Sequence, residues 1–572
     1  MKNNTLRKVL SVGLVSAMTA SMMVGCGSSS TDTAADTAAD TSASETTEAA
    51  DTADAGVAGM EGWTAFDDTV TLQIPVYDRG DNGNGCSDVV NNYWTNWVQE
   101  NFGDKYNIDV EYVGITRSDV MTGYSLLAAS QSLPTICMEY DYDKLATWAT
   151  EGYLQPYDID EFKQIAPTYW ANMEANDLTG YTDFDGDHYI VLGQRPYGNT
   201  TYTYVTWYRQ DWLEEAGFTE YPQTTSELIE LYDKIQENHP DVYPAMLTKA
   251  TGAGLDQNYS YRTYPQDELT WATTGDYQIP ALSTEAQKNF LKLQNYFYNN
   301  GYLDPEYYMN EAADNESAFA NGKAFTYTGY VSSTNDVLTA FYENNPDATL
   351  GVVKNSGEFT EDATWGTNNS YRPNNVFGAM AGFSSQADDD QIKAAMMYME
   401  WMSQDDVLFT MTWGIEGVNF NYEDGTPVAV GDQSGLEEQQ GHNNNVDYWM
   451  IVTASKSFGS IEEDVAAIAP TGLPQDFTQD IIDNYYGQVK LYEAGYANSD
   501  CLFGGAVEAV TEYSETLYST YGELRDKLIQ CSEDEFDSLY EQYSQQYLDA
   551  GYQAVIDDRT EIYNEGMTTK LQ

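Results

Sequence analysis

The chain has 572 residues, 42% of them hydrophobic, which is enough for roughly two or three compact units with sizeable cores. Lys and Arg number 25 against 91 Asp and Glu, a formal net charge of -66. A field of that sign repels phosphate backbones and anionic lipid surfaces, which excludes nucleic acid as a partner.

The first stretch carries Lys2, Arg7 and Lys8, then an apolar run from Val9 to Val24, then Gly25-Cys26. The basic start and the short apolar run read as a cleaved secretory signal over 1–25, too short for a retained spanning helix. Met23-Val24-Gly25-Cys26 resembles the lipobox of bacterial lipoproteins. The resemblance implies a thioether-linked lipid on Cys26 and cleavage before it; an ordinary secreted protein with a chance cysteine is the plainer alternative. One acyl chain holds a protein only marginally, at about 0.8 kcal/mol per buried methylene, whereas two or more hold it firmly. Residues 26–62 are Ser, Thr, Ala, Asp and Glu with almost no large apolar side chain, and include the tract DTAADTAADT from Asp32 to Thr41. Such a segment buries too little surface to offset chain entropy, so it reads as a disordered, self-repelling spacer, with folding expected from about Trp63. No later stretch is long and apolar enough to cross a bilayer.

Strands and helices then alternate. Val70 to Val76 is a strand pattern, Asp88 to Phe102 an amphipathic helix, Ile108 to Gly114 a second strand, Ser118 to Ser130 a second helix and Thr135 to Glu139 a third strand, with Leu145 to Gly152 helical. That order predicts a right-handed parallel α/β unit, whose ligands bind at the carboxyl ends of the strands. Those ends are Tyr77-Asp78-Arg79 and Glu139-Tyr140-Asp141-Tyr142. Asp183-Phe184-Asp185-Gly186-Asp187 has the start of a calcium-loop spacing, but the twelfth position, where a glutamate belongs, is Gln194. A turn before a strand over Tyr189 to Leu192 is the better reading.

Tyr202 to Trp207 alternates aromatic and β-branched residues and is expected to run between lobes. Short helices follow at Asp211 to Gly217 and at Thr225 to Glu237, the latter with Thr224 and Glu227 placed for a cap. Ala245 to Asp276, which contains Trp271, reads as loop. Thr284 to Gly301 and Glu311 to Asn321 are helices and Lys323 to Thr328 a strand ending in Gly329-Tyr330, a second α/β unit. Val376 to Phe383 is a strand leading into a long helix over Asp388 to Ser403. From Pro470 helices dominate: Gln475 to Asn484, Gly504 to Cys531 and Glu533 to Asp558.

Cys86, Cys137, Cys501 and Cys531 are spaced too widely for a zinc site. They either pair, in one of three connectivities, or stay free. The histidines His188, His239 and His442 are scattered, and no HExxH, GxSxG or P-loop motif occurs. With so many carboxylates, two that lie near each other in sequence carry no information about acid–base catalysis. No cofactor or metal is expected.

Met399-Glu400-Trp401-Met402-Ser403, then Trp413 to Phe420 (WGIEGVNF) and Glu423-Asp424-Gly425-Thr426-Pro427, resemble the extracellular solute-binding proteins of family 1, in particular the LplA-like lipoproteins that include alginate-oligosaccharide binders. Ser130 to Pro134, Asp183 to Tyr189 (DFDGDHY), Tyr208 to Gly217 (YRQDWLEEAG) and Phe319 to Lys323 (FANGK) resemble further blocks of that family, in order. The resemblance implies an α/β, two-lobed, periplasmic-binding-protein-like fold with hinge-linked lobes built from discontinuous chain: 63–200 and 376–470 in lobe 1, 201–375 in lobe 2, and a helical 471–572 mainly in lobe 2. It implies capture of an oligosaccharide and delivery to the permease subunits of an ABC importer, by a monomer held to the membrane through its lipid alone. The calcium loop of the alginate binders is replaced by Asn238-His239-Pro240-Asp241-Val242-Tyr243-Pro244. That departure and the charge of -66 together point to a neutral glycan.

With 47 Tyr and 12 Trp, aromatic faces are available to sugar rings, and Tyr hydroxyls and carboxylates to sugar hydroxyls. The candidates at strand ends and hinge-adjacent loops are Tyr77, Asp78, Arg79, Glu139, Tyr140, Trp271, Tyr330, Tyr371, Arg372 and Trp413. Asp78, Glu139 and Arg372 are assigned hydrogen bonds to hydroxyls, and Trp271, Tyr330 and Trp413 stacking. A glycoside hydrolase with two cleft carboxylates, a surface adhesin, and a binder of peptides or other small solutes are the alternatives.

Overall fold

Alternating burial along Val70–Asp78 is the start of the folded chain: Leu72, Ile74 and Val76 are almost fully buried, and Thr71 and Gln73 less so. The computed structural model describes residues 60, 62–80, 88–184, 186–198, 200, 204–245, 267–275, 279–331, 335–354, 361–366, 372–423, 425–430, 433, 435–441, 445–455, 457, 459–468 and 475–570. The signal and almost all of the spacer, with Cys26, lie outside them, as does Cys86.

The strands in chain order are β1 (Val70–Asp78), β2 (Ile108–Thr116), β3 (Ile136–Glu139), β4 (Leu154–Gln155), β5 (Asp183–Phe184), β6 (Asp187–His188), β7 (Ile190–Gln194), β8 (Tyr204–Arg209), β9 (Thr326–Tyr330), β10 (Leu350–Val352), β11 (Phe377–Ser384), β12 (Phe420–Glu423), β13 (Thr426–Ala429), β14 (Cys501–Phe503) and β15 (Thr568–Lys570). β1 and β2 pair in parallel from Val70 opposite Ile108 to Asp78 opposite Thr116, as expected of a strand–helix–strand unit. β3 departs from that pattern. Its hydrogen-bonded partner is β11, antiparallel, with Glu139 opposite Met380. β11 is buried at every position and also pairs antiparallel with β4 and β7, so a strand from far along the chain makes this sheet mixed.

The second sheet has β8 at its centre, antiparallel to both β9 and β10. β8 therefore lies within the second sheet, where the sequence suggested a strand running between lobes. Apolar residues gather into one large core around β1, β3, β7, β11 and the helix Asp389–Met402, and into others around β8, the helix Glu285–Asn299 and the C-terminal helices. Ile461 and Val465 pack with Val205 and Phe341, in a core of the second sheet.

Caps explain where helix boundaries differ from expectation. Asn92 accepts from the Trp94 and Thr95 amides and forms a capping box with Thr95, so that helix begins at Tyr93 and not at Asp88. Asp141 accepts from the Asp143 amide and starts the next helix at Tyr142. Asp267 accepts from the Thr270 amide, which turns the expected loop around Trp271 into the helix Glu268–Thr274. The last long helix is broken at Gly551, whose φ of 128° leaves the helical region; a Cβ there would stand 2.5 Å from Tyr513 Cγ. The residues 183–188 form the two-strand turn β5–β6, with Asp185 outside the described residues. Cys137, Cys501 and Cys531 are free thiols, and burial pushes Cys501 up to about 11.

Three passes of chain connect the first core to the second sheet, and they hydrogen-bond to one another. The Gln194 amide donates to Val452 O at 3.0 Å, the Ala454 amide to Gln194 O at 2.7 Å and the Arg195 amide to Val376 O at 2.9 Å. Among the described residues no helix is long and apolar enough to cross a membrane.

Candidate functional site

The parallel register of β1 and β2 brings two arginines to one end of the first core. Asp78 lies opposite Thr116, so Arg79 and Arg117 each follow the end of a paired strand. β3 ends beside them with Glu139, and Tyr140 is next in the chain. Asp447, in the first turn of the helix Val446–Met450, comes in from far along the chain.

Asp447 holds these pieces together. Its Oδ2 accepts from Arg79 Nη1 at 2.7 Å and from the Tyr77 amide at 2.9 Å, and its Oδ1 accepts from Arg79 Nη2 at 2.9 Å and from the Tyr140 hydroxyl at 3.1 Å. Four donors fill roughly the four lone-pair sites of a carboxylate. Burial alone would weaken the Arg79 cation, but the hydrogen bond and charge of Asp447 outweigh it and hold Arg79 charged. Glu139 is 1% exposed; it accepts from the Tyr77 hydroxyl at 3.0 Å and from the Tyr140 amide at 2.9 Å. The Tyr77 hydroxyl also donates to Met138 O at 2.6 Å. Burial first, then Glu139 beside Tyr77 and Asp447 beside Tyr140, raise both phenols, so they remain neutral donors. The Arg117 guanidinium stands over both rings, 5.0 Å from the Tyr77 centroid and 5.5 Å from that of Tyr140.

Polar and aromatic groups thus gather at the strand ends of the first core. Among the described residues no group of three or more His, Cys, Asp or Glu side chains is placed to hold a metal ion. The family profile of bacterial extracellular solute-binding proteins matches residues 97–418, more than half of the chain. The chain belongs to this family.

Relatives of this solute-binding protein include the polygalacturonan/rhamnogalacturonan-binding protein YtcQ of Bacillus subtilis (strain 168), 23% identical over 245 residues, which is 41% of this chain and 46% of YtcQ. The chain thus matches about half the length of that curated relative. Among solved structures, the alginate-binding protein AlgQ2 without calcium ion is similar at a TM-score of 0.57 and 15% identity, over 88% of this chain and 100% of that one. An extracellular solute-binding protein from Bifidobacterium longum subsp. infantis is similar at 0.59 and 12% identity, over 88% and 100%. The S. pneumoniae ABC-transporter substrate-binding protein FusA in complex with kestose is similar at 0.56 and 13% identity, over 87% and 99%. The solute-binding protein shares their two-lobed, periplasmic-binding-protein-like fold.

Of the residues singled out from sequence, Tyr77, Asp78, Arg79, Glu139 and Tyr140 converge at this end of the first core. Asp78 accepts from the Gly80 amide at 2.9 Å. Arg117 and Asp447 belong to the same cluster and carried no motif of their own. The pairing of β1 with β2 was the available signal for Arg117; Asp447 had none.

Trp271 and Arg372 form a second cluster. The Trp271 indole N–H donates to Ser499 O at 2.9 Å, and the Arg372 guanidinium lies 5.7 Å from the ring centroid. Arg372 donates to Gly275 O at 2.5 Å and pairs with Asp500 at 2.6 Å. Just beyond, the Phe503 amide donates to Asp143 Oδ1 at 3.2 Å, and Asp143 opens the helix that follows Tyr140. The second cluster is thereby tied to the chain leaving the first.

Trp413 ends the helix Asp405–Trp413, is 3% exposed, and packs with Phe420 and Phe409 in a small separate core. In this position its ring serves packing. Tyr330 is the last residue of β9, its backbone opposite Tyr204. Tyr371 lies outside the described residues.

Proposed function

We propose that this solute-binding protein captures an oligosaccharide between its lobes and passes it, chemically unchanged, to the permease subunits of an ABC importer. The observation that carries the reading is the convergence of Tyr77, Arg79, Arg117, Tyr140 and Asp447 at the strand ends of a family member. Aromatic faces and fixed polar groups are what a sugar requires. The names of YtcQ, AlgQ2 and FusA point the same way, since each is described with a saccharide.

The ligand bridges both lobes, so it binds the closed arrangement better and shifts the population toward it, with the three hydrogen-bonded crossing segments as the hinge. The protein works as a monomer outside the cell, tethered by lipid on Cys26 through the acidic spacer. No step in this cycle uses a cofactor.

A thermal-shift screen of the mature protein against oligosaccharides and peptides, followed by calorimetry and a reducing-end assay, tests the reading. Binding of an oligosaccharide with no new reducing ends and with compaction in solution scattering is expected. Peptide binding alone, or cleavage of the glycan, would overturn it. For the tether, Cys26→Ala is expected to shift the protein from the membrane to the culture medium.

A further inference from the structure

The second arginine of the strand-end cluster is in a different state from the first. Arg79 is bound on both arms by Asp447. Arg117, half-buried, lies against the Tyr77 and Tyr140 rings; among the described residues it has no carboxylate oxygen within 4.0 Å and donates no hydrogen bond. Two carboxylates beside it are occupied: Asp447 takes four donors, and Glu139 takes two and is 1% exposed. The hydroxyls of Tyr77 and Tyr140 donate to Glu139 and Asp447. Arg117 therefore offers a ligand N–H donors and a positive charge beside two aromatic rings.

We infer that Arg117 selects a ligand bearing a carboxylate, namely a uronic-acid unit of the oligosaccharide; the inference rests on the oligosaccharide reading above. A planar guanidinium matches a carboxylate through two parallel N–H···O bonds, whereas a sugar hydroxyl satisfies one arm and needs an acceptor for its own proton. Asp447 and Glu139 have their acceptors taken. The expectation of a neutral glycan drew on the departure from the calcium loop of the alginate binders and on the total charge of -66. That field is long-ranged only on paper: at physiological salt exposed charges are screened beyond about 8 Å, so the groups in contact with the ligand decide its charge. The total charge slows the approach of an acidic sugar; the Arg117 contact retains it.

Calorimetry on the mature protein decides the matter, with trimers of galacturonic, mannuronic and glucuronic acid, each set against its carboxyl-reduced neutral counterpart. At least one acidic trimer is expected to bind about tenfold or more tighter than its reduced form, an advantage that shrinks as salt rises. Arg117→Gln removes that advantage; Arg117→Lys keeps part of it, because the charge remains and the fork is lost. Melting curves of the ligand-free variants, expected to match the parent because Arg117 is half-exposed, separate loss of recognition from loss of fold. Equal affinity for acidic and reduced trimers, or discrimination unchanged in Arg117→Gln, overturns the inference and leaves the oligosaccharide reading standing. Failure of every trimer, acidic and neutral, overturns the inference, and the wider screen of oligosaccharides and peptides then decides the oligosaccharide reading.

Discussion

Asp447 grips Arg79 through both carboxylate oxygens, at 2.7 and 2.9 Å, across 368 residues of chain. The Asp447 side chain is 2% exposed and that of Arg79 19%, so the carboxylate has no water as a ready substitute partner and the guanidinium is only partly solvated. Asp447→Ala removes four accepted hydrogen bonds and leaves a cation half-stranded. Guanidinium denaturation at neutral pH is expected to show a loss of about 2–4 kcal/mol, at the lower side of buried-pair removals because Arg79 is partly solvated. Saccharide affinity should fall with it, since Tyr140 and Arg79 lose their fixed positions. Combining Asp447→Leu with Arg79→Met should recover part of the stability and none of the affinity.

Trp413→Ala is expected to act on the fold and not on the ligand. The ring is buried against Phe420, with centroids 6.1 Å apart. Removing it costs about 3–5 kcal/mol, the range for a buried large aromatic. Calorimetric affinity of the protein that remains folded should be unchanged. Trp271→Phe is a finer probe: it keeps the ring near Arg372 and drops the hydrogen bond to Ser499, for a loss of about 1 kcal/mol.

The contrast between these two tryptophans shows what was legible in the sequence. Pattern alone gave both the same role, stacking on a sugar ring. What separates them is tertiary: Trp413 ends a helix that folds its ring onto Phe420, while Trp271 is drawn by Asp267 into a helix and by Ser499 into the second cluster. Tyr77, Arg79, Glu139 and Tyr140 were readable because strand ends are local features and ligands of such sheets gather there. Asp447 was not, because nothing local distinguishes one of 91 acidic residues. The mixed first sheet was hidden for the same reason: β11 joins β3 and β7 through pairing that no local period records.

Asp362 supplies a pH-dependent part of stability. It joins the chain near Trp365 to the start of the helix Thr225–Asn238, accepting from the Ser226 amide at 2.8 Å, the Ser226 hydroxyl at 3.0 Å, and the Thr364 and Trp365 amides at 2.9 Å each. Burial by itself would raise this carboxyl, but the hydrogen bonds from Trp365, Ser226 and Thr364 outweigh it and hold it below its ordinary value. A depressed folded-state value means the stabilisation is present above the unfolded carboxylate range, about pH 4, and is lost as pH falls through the lowered value. Asp362→Ala should therefore lose about 1.5–3 kcal/mol at neutral pH, judged as hydrogen bonds to a charged group. The gap between variant and parent should close on acidification, read from denaturation curves at a series of pH values. A gap that stays constant would mean the charge contributes nothing.

Gly198 tests the crossing segments. A Cβ on it would stand 2.5 Å from Val376 Cα and 2.7 Å from Asn375 O, both backbone atoms of the neighbouring pass. That pass is held close by the Arg195 amide on Val376 O at 2.9 Å and by Arg195 Nη1 on Asn375 O at 3.4 Å. Backbone cannot rotate away as a flexible side chain does, so Gly198→Ala must push the two segments apart. The overpacking is expected to cost about 1–3 kcal/mol in urea denaturation. Because the same segments link the first core to the second sheet, the variant should also change the compaction that a bound oligosaccharide produces in solution scattering. Gly217, at φ 90°, lies outside these segments, and a Cβ on it would meet no atom within 4 Å. Gly217→Ala, strained only by its backbone, is therefore the control: reduced stability with unaltered ligand-induced compaction. If Gly198→Ala behaved like that control, the close approach of the two passes would have no part in closure.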